Sequence, residues 1–430
     1  MPIGSFTGLN TSLRALLAQQ AALDVTGHNI ANVETKGYTR QTAQLSATAP
    51  LLVGAGATQD GAGAQLGQGV DVLSYQRSRD QFGDLQFRAQ TMASGASDTT
   101  AQALGYAEDL LAEPGDGGLN ATLSSFYDAW ATLGANPTSA AAAQGVASAG
   151  TAVATRLGTL QGGIDALRTS ASTQLDQLRG ATGPIKQISD ELGSLDSSIR
   201  RATQAGQQPN DLLDRRDVLL DQLSSYGQVT TLGDGTGSLD VQLDGAAVVT
   251  GGTSAWNGTG TPTNGRLGAL ATLASASGPL GQWSAALDGL AGQLASTVDA
   301  VSPGFFSGST ASTLRVSGTP RAGTSGAGDG SGAQAVAAGR AAPGGVPAAY
   351  ASLVASIGSA TASAKSQSSV AATLAGAADD RRQSVNGVSL DEEMINLTRF
   401  QRGYQAASRA FSTMDEALDV LINRTGRVGL

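Results

Sequence analysis

The chain has 430 residues, room for roughly two to four domains. Apolar residues make up 40%, yet only 4% are aromatic and 14% charged, and glycine numbers 58, so slim helices and thin sheets are favoured over one thick core. A formal net charge of −9 argues against nucleic acid, where neutralisation of phosphate by Lys and Arg dominates affinity, and against anionic membrane surfaces. With no cysteine, neither disulfides nor thiolate chemistry is available.

The N-terminal MPIGSFTGLNTSLRALL lacks a basic segment, an unbroken apolar run and a small-residue cleavage site, so no cleaved signal is expected. No run of apolar residues is long enough for a membrane span. The first helix is predicted from Ser5 to about Asn32, with Phe6 and Leu13 on one heptad position and Leu9, Leu16, Leu23 and Ile30 on the other. So narrow a seam cannot be buried within its own helix and requires a partner. Asn29, Asn32 and Gly37 tolerate the left-handed angles that end helices. Tyr38 to Leu45 then alternates like an extended arm, and the Gly-rich residues 50–72 read as a loop or hairpin. Helices are expected from about Arg77 to Leu111, closed by Pro114 and Gly115, and from Asn120 to Leu133.

The longest periodic stretch is internal. Val153, Leu160, Leu167, Ile188 and Leu195 share one heptad position, and Leu157, Ile164, Leu178, Ile185, Leu192 and Ile199 the other. Gly180, Gly183 and Pro184 should bend or break this arm. The turn QAGQQPN leads into a second helix, NDLLDRRDVLLDQLSSY, to complete a rod-like hairpin within a bundle. After Tyr226 the period becomes two: Leu239, Val241 and Leu243 face one way, with hairpin turns at Asp234-Gly235 and Asp244-Gly245. Helix returns from Leu280 to Val301. Residues 303–346 carry no clear period beyond short strands at Phe305 and Leu314, and another helix spans about Pro347 to Ser384. A C-terminal seam closes the pattern: Leu390, Leu397, Tyr404, Phe411 and Leu418 on one position, Phe400, Ala407, Met414 and Leu421 on the other.

Little here suggests catalysis. The single histidine, His28, has no second His or Cys to complete a site and reads as a capping or interface residue. Asp391, Glu392 and Glu393 suit the positive end of a helix dipole. GDGTGSLD at residues 233–240 is better explained by a hairpin turn than by one isolated calcium repeat. No phosphate-binding loop, dinucleotide fingerprint or nucleophile elbow is present, so the reading is of no enzyme, no metal and no cofactor.

NIANVETKGYTR at residues 29–40 resembles the segment that follows the first helix in bacterial flagellar rod, hook and hook-associated proteins. The matching positions are Asn29, Asn32, Gly37, Tyr38 and Arg40, and GVSLDEEMINLTRFQRGYQAASRAFSTMDEALDVLI at 387–422, with Asp391, Glu392 and Glu393, is similar in the same way. PNDLLDRRDVLLDQLS at 209–224 and the 387–422 segment together point within that family to the hook-associated members. The chain departs from them where SPG leads directly to Phe305 and Phe306, which suggests a trimmed outer domain.

The resemblance implies a mainly α protein with terminal coiled-coil helices, an elongated helical-bundle domain and a small inserted β-rich outer domain. Residues 1–50 with 386–430 would form the polymerisation domain, 51–227 with 280–302 and 347–385 the rod-like domain, and 228–279 with 303–346 the variable outer domain. It implies a structural junction adaptor between hook and filament, self-assembling through the two seams, with the hook protein, a second junction protein and an export chaperone at the C-terminal segment as partners. Its place would be extracellular, reached by type III export without a cleaved signal. A hook or distal rod protein is the alternative within the family. A surface adhesin or export-cap hydrolase would need a pocket or paired acids that the middle of the chain does not show.

Overall fold

Proline and glycine punctuate the helices. Pro184, Pro279 and Pro347 each stand in the first turn of a long helix, where the missing N–H would have had no partner. The computed structural model describes residues 4–53, 64–233, 237–326 and 328–424. The chain runs α1 (Gly4–Ala31), β1 (Gln41–Ala47), β2 (Leu51–Val53), β3 (Ala64–Leu66), β4 (Val70–Arg77), α2 (Gln81–Leu111), α3 (Leu119–Ala135), α4 (Ala140–Arg179), α5 (Pro184–Gln204) and α6 (Asn210–Ser224). There follow β5 (Val229–Gly233), β6 (Leu239–Leu243), β7 (Ala246–Thr250), β8 (Thr253–Ser254), α7 (Gly265–Ala274), α8 (Pro279–Asp299), β9 (Phe306–Ser307), β10 (Arg315–Val316), α9 (Ser331–Ala338), α10 (Val346–Asn386) and α11 (Leu390–Asp419). The fold is mainly α.

Two apolar cores organise the body. The first lies among α2, α3, α4, α8 and α10, where Phe126, Trp130, Phe305 and Phe306 interlock. The rings of Trp130 and Phe305 meet edge-on at 5.6 Å, and those of Phe305 and Phe306 at 4.8 Å, the geometry that ring quadrupoles favour. The second core lies between α5, α6 and the antiparallel sheet β5-β6-β7-β8, and is built from Ile185, Leu192, Leu220, Leu223, Val241, Leu243 and Val249. Leu175 and Leu178 at the end of α4 touch both cores. The expected break between α4 and α5 falls at Gly180–Gly183.

The β6–β7 turn is the two-residue type anticipated from Asp244-Gly245, with both residues at positive φ, 48° and 79°. The turn at Asp234-Gly235 and the middle of the Gly-rich stretch 50–72 lie outside the described residues. Flanking that stretch, β2 pairs with β3, while β1 pairs with β4 as a twisted ribbon from Gln41↔Arg77 to Ala47↔Val70.

Several elements differ from expectation. The helix expected from Arg77 begins at Gln81, because Arg77 still pairs in the ribbon and the Asp80 carboxylate caps α2 by accepting from Phe82 N at 3.0 Å. Residues 265–274, within the stretch expected to be β-rich, form α7. Leu267, Leu270 and Leu273 recur every three residues there, and Leu267 enters the second core while the other two enter the first. Residues 331–338, left without a period, form α9, which buries Ala333 and Val336. Residues 303–346 do not join the four-stranded sheet: Phe305, Phe306 and Leu314 pack into the first core, whereas the strands of 228–279 pack into the second.

α1 and α11 lie side by side and antiparallel. Ser12 Oγ is 3.6 Å from Met414 Sδ near one end, and Gln19 packs over Gly403 further along. The face of α1 turned inward carries small and polar side chains, Ser12, Ala18, Ala22, Thr26 and Asn29. Each buried alanine contributes only a methyl-sized amount, about 0.8 kcal/mol, and half-buried Leu9, Leu16, Leu397 and Phe400 add partial burial of larger side chains.

Phe305→Ala should destabilise the first core by about 3–5 kcal/mol, whereas Leu232→Ala, on an exposed side chain, should change stability by about 0.5 kcal/mol or less. Urea unfolding followed by tryptophan fluorescence measures both. Equal shifts would mean that the aromatic cluster does not hold this core.

Candidate functional site

The segment after α1 turns back on itself through residues 32–40 and seats on α6. Asn29 organises the turn: its Nδ2 donates to Gln41 O (2.9 Å), and its Oδ1 accepts from Gln41 N (3.0 Å) and from the Tyr38 hydroxyl (2.7 Å). Asn32 holds the start of the loop, donating to His28 O at 3.0 Å and accepting from Thr35 Oγ1 at 3.1 Å. Gly37 has φ +82°, and a Cβ there would come 2.1 Å from Val218 Cγ2, so a side chain would push the loop off α6. Burial first, then the charges of Asp211, Asp214 and Glu393, raise the Tyr38 phenol above its usual range, which keeps it a proton donor to Asn29.

On α6, Asp211, Asp214, Asp217 and Asp221 follow a three-three-four spacing that places all four on one face. Each takes partners from outside α6, and neighbouring carboxylates share arginines. Asp211 accepts from Gln41 Nε2 at 3.1 Å and lies 3.5 Å from His28 Nε2. Asp214 accepts from Thr39 N at 3.0 Å and from Arg77 Nη1 at 2.7 Å. Asp217 meets Arg77 at 3.0 Å, Arg79 at 3.1 Å and Arg88 at 3.6 Å. Asp221 meets Arg88 at 2.7 Å and also pairs with Arg382 of α10. Arg382 reaches Asp379 at 2.8 Å and stacks 3.8 Å from the centre of the Phe87 ring.

Asp84 completes the cluster on Arg79 Nε at 2.7 Å. Burial raises its carboxyl above the ordinary value even though Arg79 and Arg88 oppose the shift, and its Oδ1 lies 3.9 Å from Arg382 Nη1. Burial pulls Arg79 the other way, but it draws on both Asp217 and Asp84 and is raised overall. A polar cavity of about 260 Å³ lies beneath the loop, between Gly37, Val218, Asp221, Arg382 and Asn386. Among the described residues no group of three His, Asp or Glu side chains could hold a metal ion.

Arg40 links this joint to the C-terminal helix. Its Nε donates to Glu393 Oε1 at 2.7 Å and its Nη1 lies 2.9 Å from Glu392 Oε2. Asp391 is exposed in the same first turn of α11, which Ser389 caps. Of the seam residues, Phe6 is 68% exposed, and Leu13, Leu390, Tyr404 and Met414 are exposed too. Leu9, Leu16, Leu23, Ile30, Leu397, Phe400, Phe411 and Leu418 are half-buried, and the side chain of Leu421 lies outside the described residues. The seam therefore does not form the buried centre of the α1–α11 contact within one chain. The fully buried side chains of α1 are small or polar, and the larger seam side chains of both helices are at most half-buried.

Three family profiles match: the flagellar hook-associated protein FlgK helical domain over residues 104–261, the flagellar basal body rod FlgEFG protein C-terminal segment over 381–424, and the flagella basal body rod protein over 9–39. Flagellar hook-associated protein 1 of Bacillus subtilis is 38% identical over 221 residues, which are 51% of this chain and 43% of that protein. The chain is similar to flagellar hook-associated protein 1. The Salmonella typhimurium protein of that name is 31% identical over 226 residues, 50% of this chain and 37% of its own length. The matched region thus spans less than half the length of either relative. The solved flagellar hook junction protein FlgK from Burkholderia pseudomallei overlaps at a TM-score of 0.44 and 23% identity, covering 50% of this chain and 43% of that one, too loosely for any argument from its geometry.

The two rod-type matches include Asn29, Gly37, Tyr38, Arg382, Glu392 and Glu393, with Arg40 just outside, and the helical-domain match contains α6 with its carboxylates. The sequence reading singled out the α6 segment as a motif but not as the receiver of arginines. The spacing of Asp211, Asp214, Asp217 and Asp221 was the available signal.

Asp214→Ala should lower stability by about 3 kcal/mol, because Thr39 N loses its acceptor and Arg77 one of its two carboxylates in a dry setting. Asp211→Ala, on a largely exposed side chain, should cost about 0.5 kcal/mol or less. Chemical denaturation of the two variants compares them, and equal costs would remove the ladder from the account of stability.

Proposed function

We propose that the chain is a structural adaptor of the bacterial flagellum that joins hook to filament, polymerising through α1 and α11. The observation that carries this reading is the combination of a hook-associated helical-domain match with terminal helices that leave large apolar side chains partly exposed. Phe6 and Leu13 on α1, with Leu390 and Tyr404 on α11, offer apolar surface that a single chain leaves in water. Copies packed side by side would cover it. Residues 1–50 with 386–430 act as the polymerising region, and the two-core body as the outer part.

Self, the hook protein and a second junction protein are the proposed partners, with an export chaperone shielding the C-terminal segment before assembly. The role is structural and not enzymatic, and the place is extracellular, reached by flagellar export without a cleaved signal. The rod-type matches at both ends leave a hook or distal rod subunit as the second reading. The helical-domain match over 104–261 favours the junction.

A strain lacking this protein should build hooks of normal form and shed flagellin into the medium, as electron microscopy and a flagellin assay of the supernatant would show. Missing hooks would instead indicate a hook or rod subunit, and intact filaments would end the adaptor reading. Separately, Leu418→Asp should abolish filament attachment while shifting the thermal melting of the body by less than about 0.5 kcal/mol in stability, because the added charge falls in the seam and not in either core. Normal filaments in that variant would exclude the seam as the polymer contact.

A further inference from the structure

Two asparagines precede glycine in the connection from β8 to α7, at Asn257-Gly258 and Asn264-Gly265, and such a pair carries a reaction of its own. The glycine nitrogen can attack the asparagine carboxamide carbon, because no Cβ obstructs the approach and ring closure brings the two groups together within one chain. The fold treats the two pairs differently. Asn264 is tied on every side: its Nδ2 donates to Asp244 Oδ1 at 2.9 Å and to Thr263 Oγ1 at 3.0 Å, and its N to Asp244 Oδ2 at 3.2 Å. Its O accepts from Gly268 N at 2.9 Å, in the first turn of α7. Asn257 is exposed, and Gly258 N has no hydrogen-bond partner among the described residues. The Asn257 Oδ1 accepts from Thr259 N at 3.0 Å and from Thr259 Oγ1 at 2.6 Å.

We infer that Asn257 is a site of spontaneous deamidation, and that in the folded chain it reacts ahead of Asn264. Gly258 N gives up its proton to solvent base and bonds to Asn257 Cγ, negative charge gathers on Oδ1, and the carboxamide nitrogen takes up a proton and leaves as ammonia. Thr259 N and Oγ1 already point at the oxygen where that charge collects. Water then opens the succinimide at either carbonyl and leaves aspartate or isoaspartate, each with one added negative charge. Isoaspartate also inserts a methylene into the main chain ahead of Gly258 O, which accepts from Arg179 Nη2 at 2.6 Å, as Gly260 O does at 2.7 Å. The Trp256 indole, buried in the second core, donates in turn to Arg179 O at 3.0 Å. The modification therefore falls on the strap that ties this loop to the end of α4. It is a property of the folded body and does not depend on the junction reading.

Peptide mapping by mass spectrometry tests it, on the full-length protein held at mildly alkaline pH and sampled over time, with amide-to-acid conversion read at each pair. In the folded chain Asn257 should convert about tenfold or more faster than Asn264, whose hydrogen bonds must break before its ring can close. In concentrated urea the two rates should agree to within about threefold, because both residues lose those bonds on unfolding. Thr259→Val removes one donor to Oδ1 and should slow conversion at Asn257 by about threefold or more while leaving Asn264 unchanged. No conversion at Asn257, a rate at Asn264 equal to it in the folded chain, the same ratio in urea, or an undiminished rate in Thr259→Val would each overturn the assignment.

Discussion

Four arginines drawn from as far apart as residues 77 and 382 converge on one face of a fifteen-residue helix, and the arrangement of the whole chain depends on that convergence. The side chains of Arg77, Arg79, Arg88 and Arg382 are each less than a fifth exposed, so their charges have given up most of their water. Desolvation of that size is offset only by close and shared pairing, and Asp214, Asp217 and Asp221 supply it. An apolar contact in this place would tolerate sliding. A ladder of charge pairs does not, because a shift of one helical turn would leave buried charges without partners. The ladder therefore fixes where the segment after α1, the β4 end of the ribbon, α2 and α10 stand relative to one another.

The two ends of the chain are held differently from its middle. In the body, leucine and phenylalanine fill two cores, and burial of large side chains stabilises both. In the terminal pair the fully buried side chains of α1 are small or polar, and the larger apolar side chains of both helices are at most half-buried. The contrast gives the molecule a firmly built body and a pair of helices whose best apolar surface is still unused.

Much of this was legible in the residues. Seven-residue spacing marked the terminal helices and the α4–α5 arm, Pro184 marked the break between them, and Asp244-Gly245 marked a hairpin whose turn has the expected positive angles. The motif residues Asn29, Gly37 and Arg40 were legible as a group, although their sequence alone does not say what they touch. Other features were hidden. α7 is ten residues long with two glycines, too short and too weak a pattern to stand out from the strands before it. Phe305 and Phe306 read as part of an outer unit because the glycine-rich residues around them carry no period, yet they sit among the helices of the first core.

The sequence by itself determined the helical texture, the absence of cysteine chemistry, the unfinished seams at both ends and the resemblance to flagellar axial proteins, because these depend on residue type and spacing along one chain. Tertiary structure alone decided that the α6 carboxylates receive arginines from four other segments and that Glu393 is buried on Arg40. Those facts depend on which charges lose their water together, and desolvation is a property of the neighbours that folding brings near rather than of the neighbours in sequence.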